Sequence, residues 1–219
     1  KISESQNYIQ LNIHSEFSIG EAYGTIPHIV NSLYKKGFKA GALTDLGTMA
    51  GLWTFQKAML EKNLKPILGI QAYVILPNDE KRYELVLLIK NEKGWKNLLA
   101  LQALAVRDNF YYKPRMPIEK IVEFSEGLIC VCAGINSPVF NFVNRGEKSK
   151  AKEFLQQLKV TFSDDLYLQM TPQRLNGHQL AMKTMHKFAQ ELNINCVFSP
   201  SVFYANKEEQ YLHDAILAI

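Results

Sequence analysis

The chain has 219 residues, of which 47% are hydrophobic and 21% are charged, and its formal net charge is +4. This composition excludes a disordered chain, which carries more charge and too few apolar side chains to form a core. The mild positive charge permits a nucleic-acid partner without requiring one, because many soluble domains are mildly basic. No run of about 20 apolar residues and no signal peptide occurs, so the sequence predicts no association with a membrane.

The alternation of apolar segments predicts a chain in which strands and helices follow one another. Seven segments are predicted as strands: 8–15, 39–45, 65–76, 83–90, 127–134, 165–170 and 195–205. Six are predicted as helices: 25–37, 48–63, 92–106, 146–160, 177–193 and 207–219. Several strands are apolar on both faces, as in parallel sheets covered by helices. This order favours one α/β domain over residues 1–219, a closed or nearly closed β/α barrel with its chemistry at the carboxyl ends of the strands.

The three cysteines give no sign of a disulfide framework or a zinc motif. Cys130 and Cys132 lie two residues apart in "GLICVCAG", so a strand would point both to the same side, and we predict that they pack in the core. Cys196 leaves an odd count, and no CxxC pattern is present. The expected compartment is therefore a reducing cytoplasm.

Polar residues occur where the first two predicted strands end. Asn12 and His14 fall on the same side of the first strand, Glu21 follows shortly afterwards, and Asp45 ends the second strand. One imidazole and two carboxylates, from His14, Glu21 and Asp45, could form a small metal site. Such residues at strand ends more often cap or hydrogen-bond the backbone, so both interpretations stay open at this point.

Two other features bear on function. The chain contains no GxSxG, P-loop or GxGxxG motif. Residues Phe110–Arg115, "FYYKPR", form an aromatic and basic segment. We interpret it first as a long loop packed over the core, with a surface for nucleic acid or a partner protein as the alternative.

Several motifs, taken in order, resemble one family. They are "YIQLNIHSEFSIGEAYGTIPHIV", "ALTDLGTMAG", "LKPILGIQAYV", "ELVLLIKNEKGWKNLLALQ", "FYYKPRMPIEKI", "SEGLI" and "FYANKEEQYLHDAILAI". This set is similar to the PHP (polymerase and histidinol phosphatase) domain at the N-terminus of bacterial DNA polymerase III alpha subunits. The resemblance implies a distorted seven-stranded (β/α)7 PHP-type barrel, and it implies that residues 1–219 are an N-terminal piece of a longer polymerase chain.

Active members of this superfamily bind up to three metal ions and hydrolyse phosphoesters, and the resemblance implies that most of those ligands are missing here. His14, Glu21 and Asp45 match ligand positions that keep a metal-binding side chain. The other matched positions are Gln10, Asn12, Leu46, Gln71, Glu84, Gly134, Pro200, Ser201 and Phe203. Leu and Phe offer a metal no lone pair, and neutral Asn and Gln cannot balance clustered divalent charge.

The resemblance therefore implies a catalytically inactive PHP domain with a structural role and a docking surface. Its implied partners are the remainder of the polymerase alpha chain and the proofreading exonuclease subunit, with DNA contacted through the parent polymerase. No cofactor is expected, or at most a single weakly bound zinc or manganese ion on His14, Glu21 and Asp45. We expect Asp45 instead to hydrogen-bond the helix start near Thr48. The alternative is a metal-dependent phosphoesterase or a 3′–5′ proofreading nuclease acting on DNA ends or pyrophosphate.

Overall fold

The computed structural model describes residues 8–171 and 178–218 of the chain. In chain order the strands are β1 Gln10–Ile13, β2 Ala40–Leu43, β3 Lys65–Leu76, β4 Asp79–Ile89, β5 Phe110–Tyr111, β6 Lys113–Pro117, β7 Leu128–Cys132, β8 Leu166–Met170 and β9 Asn195–Phe198. The helices are α1 Ile26–Lys35, α2 Leu52–Glu61, α3 Glu92–Arg107, α4 Ile118–Glu123, α5 Pro138–Asn144, α6 Lys148–Phe162, α7 His178–Glu191 and α8 Gln210–Leu217. Within these residues no helix combines the length and the apolar character that crossing a membrane requires.

The chain divides into two compact units. One contains the residues up to Gln71 together with those from Ser201 onward, and the other is Ala72–Pro200. In the first unit β1, β2 and the start of β3 pair in parallel, and α1 and α2 connect them. Ile13 at the end of β1 also pairs in parallel with Val202. The carboxyl ends of these strands therefore lie at one edge, which is where polar side chains can converge.

The second unit contains a mixed sheet. Its strand order is β3-β4-β7-β8-β9, with β6 pairing in parallel with β3. β7, β8 and β9 are parallel to one another, whereas β4 runs antiparallel to β7. β4 departs from the parallel arrangement that the apolar strands indicated, because only the two residues Pro77 and Asn78 separate β3 from β4 and such a short connection forms a hairpin.

All seven predicted strands are present, and the two cysteines of β7 are completely buried as predicted. The six predicted helices are also present, each within a few residues of the expected bounds. The additional elements include α4, α5, and the pair β5 and β6, and all of these are short. The mixed α/β fold predicted from the sequence is therefore confirmed.

The aromatic and basic segment forms a hairpin. Phe110 pairs with Pro114 and Tyr111 with Lys113, so Tyr112 alone makes the turn, at a φ of +58°. The rings of Phe110, Tyr111 and Tyr112 are exposed, and packing of this segment over the core, our first interpretation, is wrong. A left-handed backbone costs a residue with a side chain roughly 1–2 kcal/mol.

A close backbone contact fixes the start of α3. The side chain of Asn91 accepts a hydrogen bond from the backbone N–H of Gly94 at 3.0 Å. A Cβ added at Gly94 would lie 1.9 Å from the backbone oxygen of Gly127. The glycines in "KNEKGWKNL" and "SEGLI" are therefore required by the approach of the helix to the turn before β7.

Candidate functional site

Polar side chains are buried at the strand edge of the first unit. Asn12 and Gln71 lie within β1 and β3, His14 follows β1, and Thr44 and Asp45 follow β2. Each of these side chains is at most 6% exposed. The parallel pairing of β1, β2 and β3 brings them together. Because a buried polar group is costly without a partner, the hydrogen bonds of this cluster define what the site can do.

The Asp45 carboxylate accepts three hydrogen bonds. Its Oδ1 accepts from the backbone N–H of Ser15 at 2.6 Å and from the Ser18 hydroxyl at 2.7 Å. Its Oδ2 accepts from the Ser15 hydroxyl at 2.7 Å. Charge-assisted bonds of this length satisfy a buried carboxylate well. Both oxygens of Asp45 are thus directed at protein donors.

The expected bond between Asp45 and the start of the second helix is wrong. α2 begins at Leu52, with Gly51 at the capping position and no side-chain cap, and Thr48 instead accepts from the backbone N–H of Ala50. The loop after β1 lies nearer to the carboxylate and supplies its donors. Asp45 therefore ties β2 to the Ser15–Ser18 turn.

His14 is completely buried and has a partner for each ring nitrogen. Nδ1 lies 3.2 Å from the Val202 carbonyl oxygen, and Nε2 lies 3.0 Å from Oε1 of Gln71. Burial lowers the pKa of His14 below its usual value, and the nearby Asp45 carboxylate only partly opposes this effect. The ring is therefore neutral at pH 7, and both of its nitrogens lie against protein oxygens.

Two residues at family ligand positions close the site with other contacts. The Phe203 ring stacks on His14, with centroids 4.4 Å apart and planes 9° apart. Leu46 donates its backbone N–H to the Ser18 hydroxyl at 3.0 Å and pairs with Gln71 across the strands. An aromatic ring lying flat against the imidazole covers one of its faces.

Asn12 connects the strand ends by neutral hydrogen bonds. Its Oδ1 accepts from the Thr44 hydroxyl at 2.6 Å, and its Nδ2 donates to the Ser201 hydroxyl at 2.9 Å. Asn12 and Ser201 both stand at family ligand positions. The amide here uses an acceptor and a donor on protein groups instead.

Glu21 lies apart from His14 and Asp45. It is half-buried, its backbone N–H donates to the Ser18 oxygen at 3.0 Å, and its own backbone oxygen contacts Nε2 of His213 at 2.9 Å. Within residues 8–171 and 178–218, no three His, Cys, Asp or Glu side chains converge as metal ligands. The structure thus brings His14 and Asp45 to one site, joined through Ser15, whereas Glu21 contributes backbone contacts.

Sequence reasoning missed Ser15 and Ser18, the two hydroxyls that hold Asp45. Ser15 directly follows His14, so its position beside a candidate ligand was the usable signal. Three further family positions, Glu84, Gly134 and Pro200, belong to the other unit. There, Glu84 accepts a hydrogen bond from Asn136 at 3.2 Å.

Comparison with known proteins assigns the family. The sequence model of the PHP domain family matches residues 10–173, which is most of the chain. The chain belongs to the PHP family. It is 28% identical to the DNA polymerase III subunit alpha of Aquifex aeolicus over 98% of its length, and 29% identical to that of Borreliella burgdorferi over its whole length. This PHP chain spans about a fifth of the length of those relatives.

Solved structures of other proteins share the fold. An amidohydrolase from Chromobacterium violaceum aligns with a TM-score of 0.58 at 11% identity, covering 95% of this chain and 96% of that one. A candidate metal-dependent phosphoesterase from Bifidobacterium adolescentis aligns with a TM-score of 0.56 at 12% identity, covering 91% and 88%. At these identities the likeness establishes a PHP-type fold and nothing about activity.

The donor set of this PHP domain does not fit a metal cluster. Clustered divalent ions need several anionic or imidazole ligands with free lone pairs. Here the carboxylate of Asp45 and the ring nitrogens of His14 face protein groups. The ligand positions beside them hold the amides of Asn12 and Gln71, the Ser201 hydroxyl, Leu46 and Phe203. The arrangement can hold the strand ends together.

The burial of His14 predicts a pH dependence of stability. The folded-state pKa is lowered, so the unfolded chain binds more protons below about pH 6.5. The contribution of neutral His14 is fully present above about pH 6.5 and is lost as the pH falls through the folded-state pKa, by at most about 1.4 kcal/mol per pH unit. Urea denaturation of the parent and of His14→Gln can be compared at about pH 7.5 and about pH 5.5. The free energy of unfolding should fall more between these two pH values in the parent than in the variant. Equal losses in both proteins would contradict a buried neutral histidine.

Proposed function

We propose that this chain is the PHP domain of a bacterial replicative DNA polymerase III alpha subunit and that the domain is catalytically inactive. The similarity to such subunits over 97–100% of the chain supports the placement. In this role the domain supports the polymerase body and offers a docking surface to the proofreading exonuclease subunit. The polymerase reaction itself belongs to the remainder of the alpha chain.

One observation carries the inactive assignment: the surviving ligand-type side chains are occupied by the protein. Three donors, two of them serine hydroxyls, satisfy Asp45. Both ring nitrogens of His14 lie against protein groups, and Phe203 covers the ring. A metal ion would have to displace these partners and would gain few anionic ligands in return.

Metal analysis of the full-length protein tests this assignment. We expect zinc and manganese well below one ion per chain by elemental mass spectrometry. We also expect only background hydrolysis of p-nitrophenyl phosphate when either metal is added. A variant that restores ligands, Asn12→His with Leu46→His, Gln71→Glu and Phe203→His, should retain more metal than the parent. Stoichiometric metal in the parent that disappears in His14→Ala would overturn the proposal.

The structural and docking role has a separate test. Full-length protein and a form that lacks residues 1–219 can be compared for thermal stability and for co-migration with the exonuclease subunit in gel filtration. We expect the shortened protein to lose stability or exonuclease binding. Unchanged stability together with unchanged exonuclease binding would contradict this role.

The second candidate function is a metal-dependent phosphoesterase or proofreading nuclease. The placement of His14 and Asp45 at one buried site favours it, since both are ligand-type residues. The metal analysis decides between the two, because this candidate requires a bound ion that activates water.

A further inference from the structure

The β5–β6 hairpin exposes three consecutive aromatic rings. Phe110 is 60% exposed, Tyr111 62% and Tyr112 80%. The two tyrosine rings lie edge to face, with centroids 4.7 Å apart. A contiguous exposed aromatic group of this kind is typical of a binding surface rather than of a packed core.

The backbone holds Tyr112 at the tip in a conformation that disfavours it. Its φ of +58° is left-handed, a region in which Gly or Asn is easier to accommodate. The exposed ring gains little burial in return. An aromatic residue kept at a strained tip indicates a role for the ring outside the fold.

Cations lie on the hairpin and beside its partner strand β3. The Arg115 guanidinium lies 5.0 Å from the Tyr111 ring centroid. Arg82 and Lys113 lie 4.5 Å and 6.0 Å from the ring of Tyr73. Among the described side chains, none of these three cations forms an ion pair. Asp108, the acid just before the hairpin, is held by Arg107 through bonds of 2.7 Å.

The hairpin is anchored at its base. β6 pairs with β3 from Tyr73 to Ile75, and the backbone N–H of Arg115 donates to the Asn109 oxygen at 3.3 Å. Rings on an anchored hairpin form a platform whose ordering costs little on binding.

We propose that this hairpin binds single-stranded DNA. Bases stack on Phe110, Tyr111 and Tyr112, and backbone phosphates contact Lys113 and Arg115, a combination that binds single strands without reading their sequence. The unpaired positive charge beside the rings fits an anionic strand better than an apolar protein surface. The choice of DNA over RNA rests on the proposed polymerase function. The test below measures binding at this hairpin only, so its result is separate from the tests of that function.

Photocrosslinking in the full-length protein tests the contact directly. Tyr112→p-benzoylphenylalanine, irradiated with labelled oligothymidylate, should give an adduct that maps to the hairpin. The same replacement at Tyr34 is the matched control, because Tyr34 is also exposed and also has a lysine, Lys62, over its ring. Four outcomes would each overturn the proposal. Two concern the site: no adduct forms at Tyr112, or the yield at Tyr34 is equal. Two concern the ligand: only oligouridylate labels the protein, or an adduct forms only when the exonuclease subunit is added.

Substitutions separate binding from folding by the sign of their effects. With the photoreactive group at Phe110, Tyr112→Gly should raise the half-saturating oligothymidylate concentration about tenfold. It should leave the melting temperature unchanged or raise it, because glycine relieves the strained backbone. Lys113→Gln and Arg115→Gln should each reduce the slope of log affinity against log salt by about 0.7. A lower melting temperature with unchanged DNA binding would assign the ring a structural role and reject the proposal.

Discussion

Gly94→Ala should lower the free energy of unfolding by about 3 kcal/mol or more, although alanine favours a helix over glycine by about 1 kcal/mol. The added Cβ would lie 1.9 Å from the oxygen and 2.5 Å from the carbonyl carbon of Gly127. Both are backbone atoms, so no flexible side chain can move aside. Helix propensity therefore predicts that Gly94→Ala raises the free energy of unfolding, whereas packing predicts that it lowers it. The packing effect is the larger of the two.

Urea denaturation followed by circular dichroism measures this change, with Gly146→Ala as the control. Gly146 has a φ of +80°, but its added Cβ would meet nothing within 4 Å. It should lose only about 1 kcal/mol, the cost of a left-handed alanine. A loss at Gly94 no larger than at Gly146 would show that α3 can move away from the turn before β7.

The elements of the fold could be predicted wherever the signal is local. The apolar run of β7 and the helical periodicity of α3 are read directly from neighbouring residues. The direction of β4 and the pairing of β5 with β6 could not be read in this way. They depend on a two-residue connection and on strands only two to five residues long, which no periodicity reveals. The contact between Gly94 and Gly127 joins distant parts of the chain and leaves no pattern at either glycine.

The sequence predicted which residues lie at the candidate site better than it predicted the hydrogen bonds that they form. Strand alternation placed His14 at the carboxyl edge, and the end of β2 placed Asp45 there, and both are found there. The partners of Asp45 depend on how the Ser15–Ser18 turn folds back, which is a property of the loop's three-dimensional path. A hydrogen bond from Asp45 to the start of the next helix was the expectation that neighbouring residues suggested. The donors of the Ser15–Ser18 turn instead bind its carboxylate.

The charge of Asp45 is balanced in this site by hydrogen bonds. A carboxylate that faces metal ions is stabilised by their charge, whereas Asp45 is stabilised by two hydroxyls and a backbone N–H. His14 is kept neutral by burial, so it adds no charge that would need compensation. The polar edge thereby acts as an internal brace between β1, β2 and β3, which is consistent with the structural role proposed for the domain.

Asp45→Ala should lower the free energy of unfolding by about 3–5 kcal/mol, because three donors aimed at a buried carboxylate would lose their acceptor. Asp45→Asn keeps one acceptor oxygen and should lose about 1–2 kcal/mol. Glu21→Ala is the control: its carboxylate makes no hydrogen bond or ion pair within the described part of the chain, so a change below about 0.5 kcal/mol is expected. Urea denaturation at neutral pH measures all three. Ligand carboxylates that await a metal repel their neighbours, so a neutral or stabilising Asp45→Ala would indicate a retained metal site and contradict the brace.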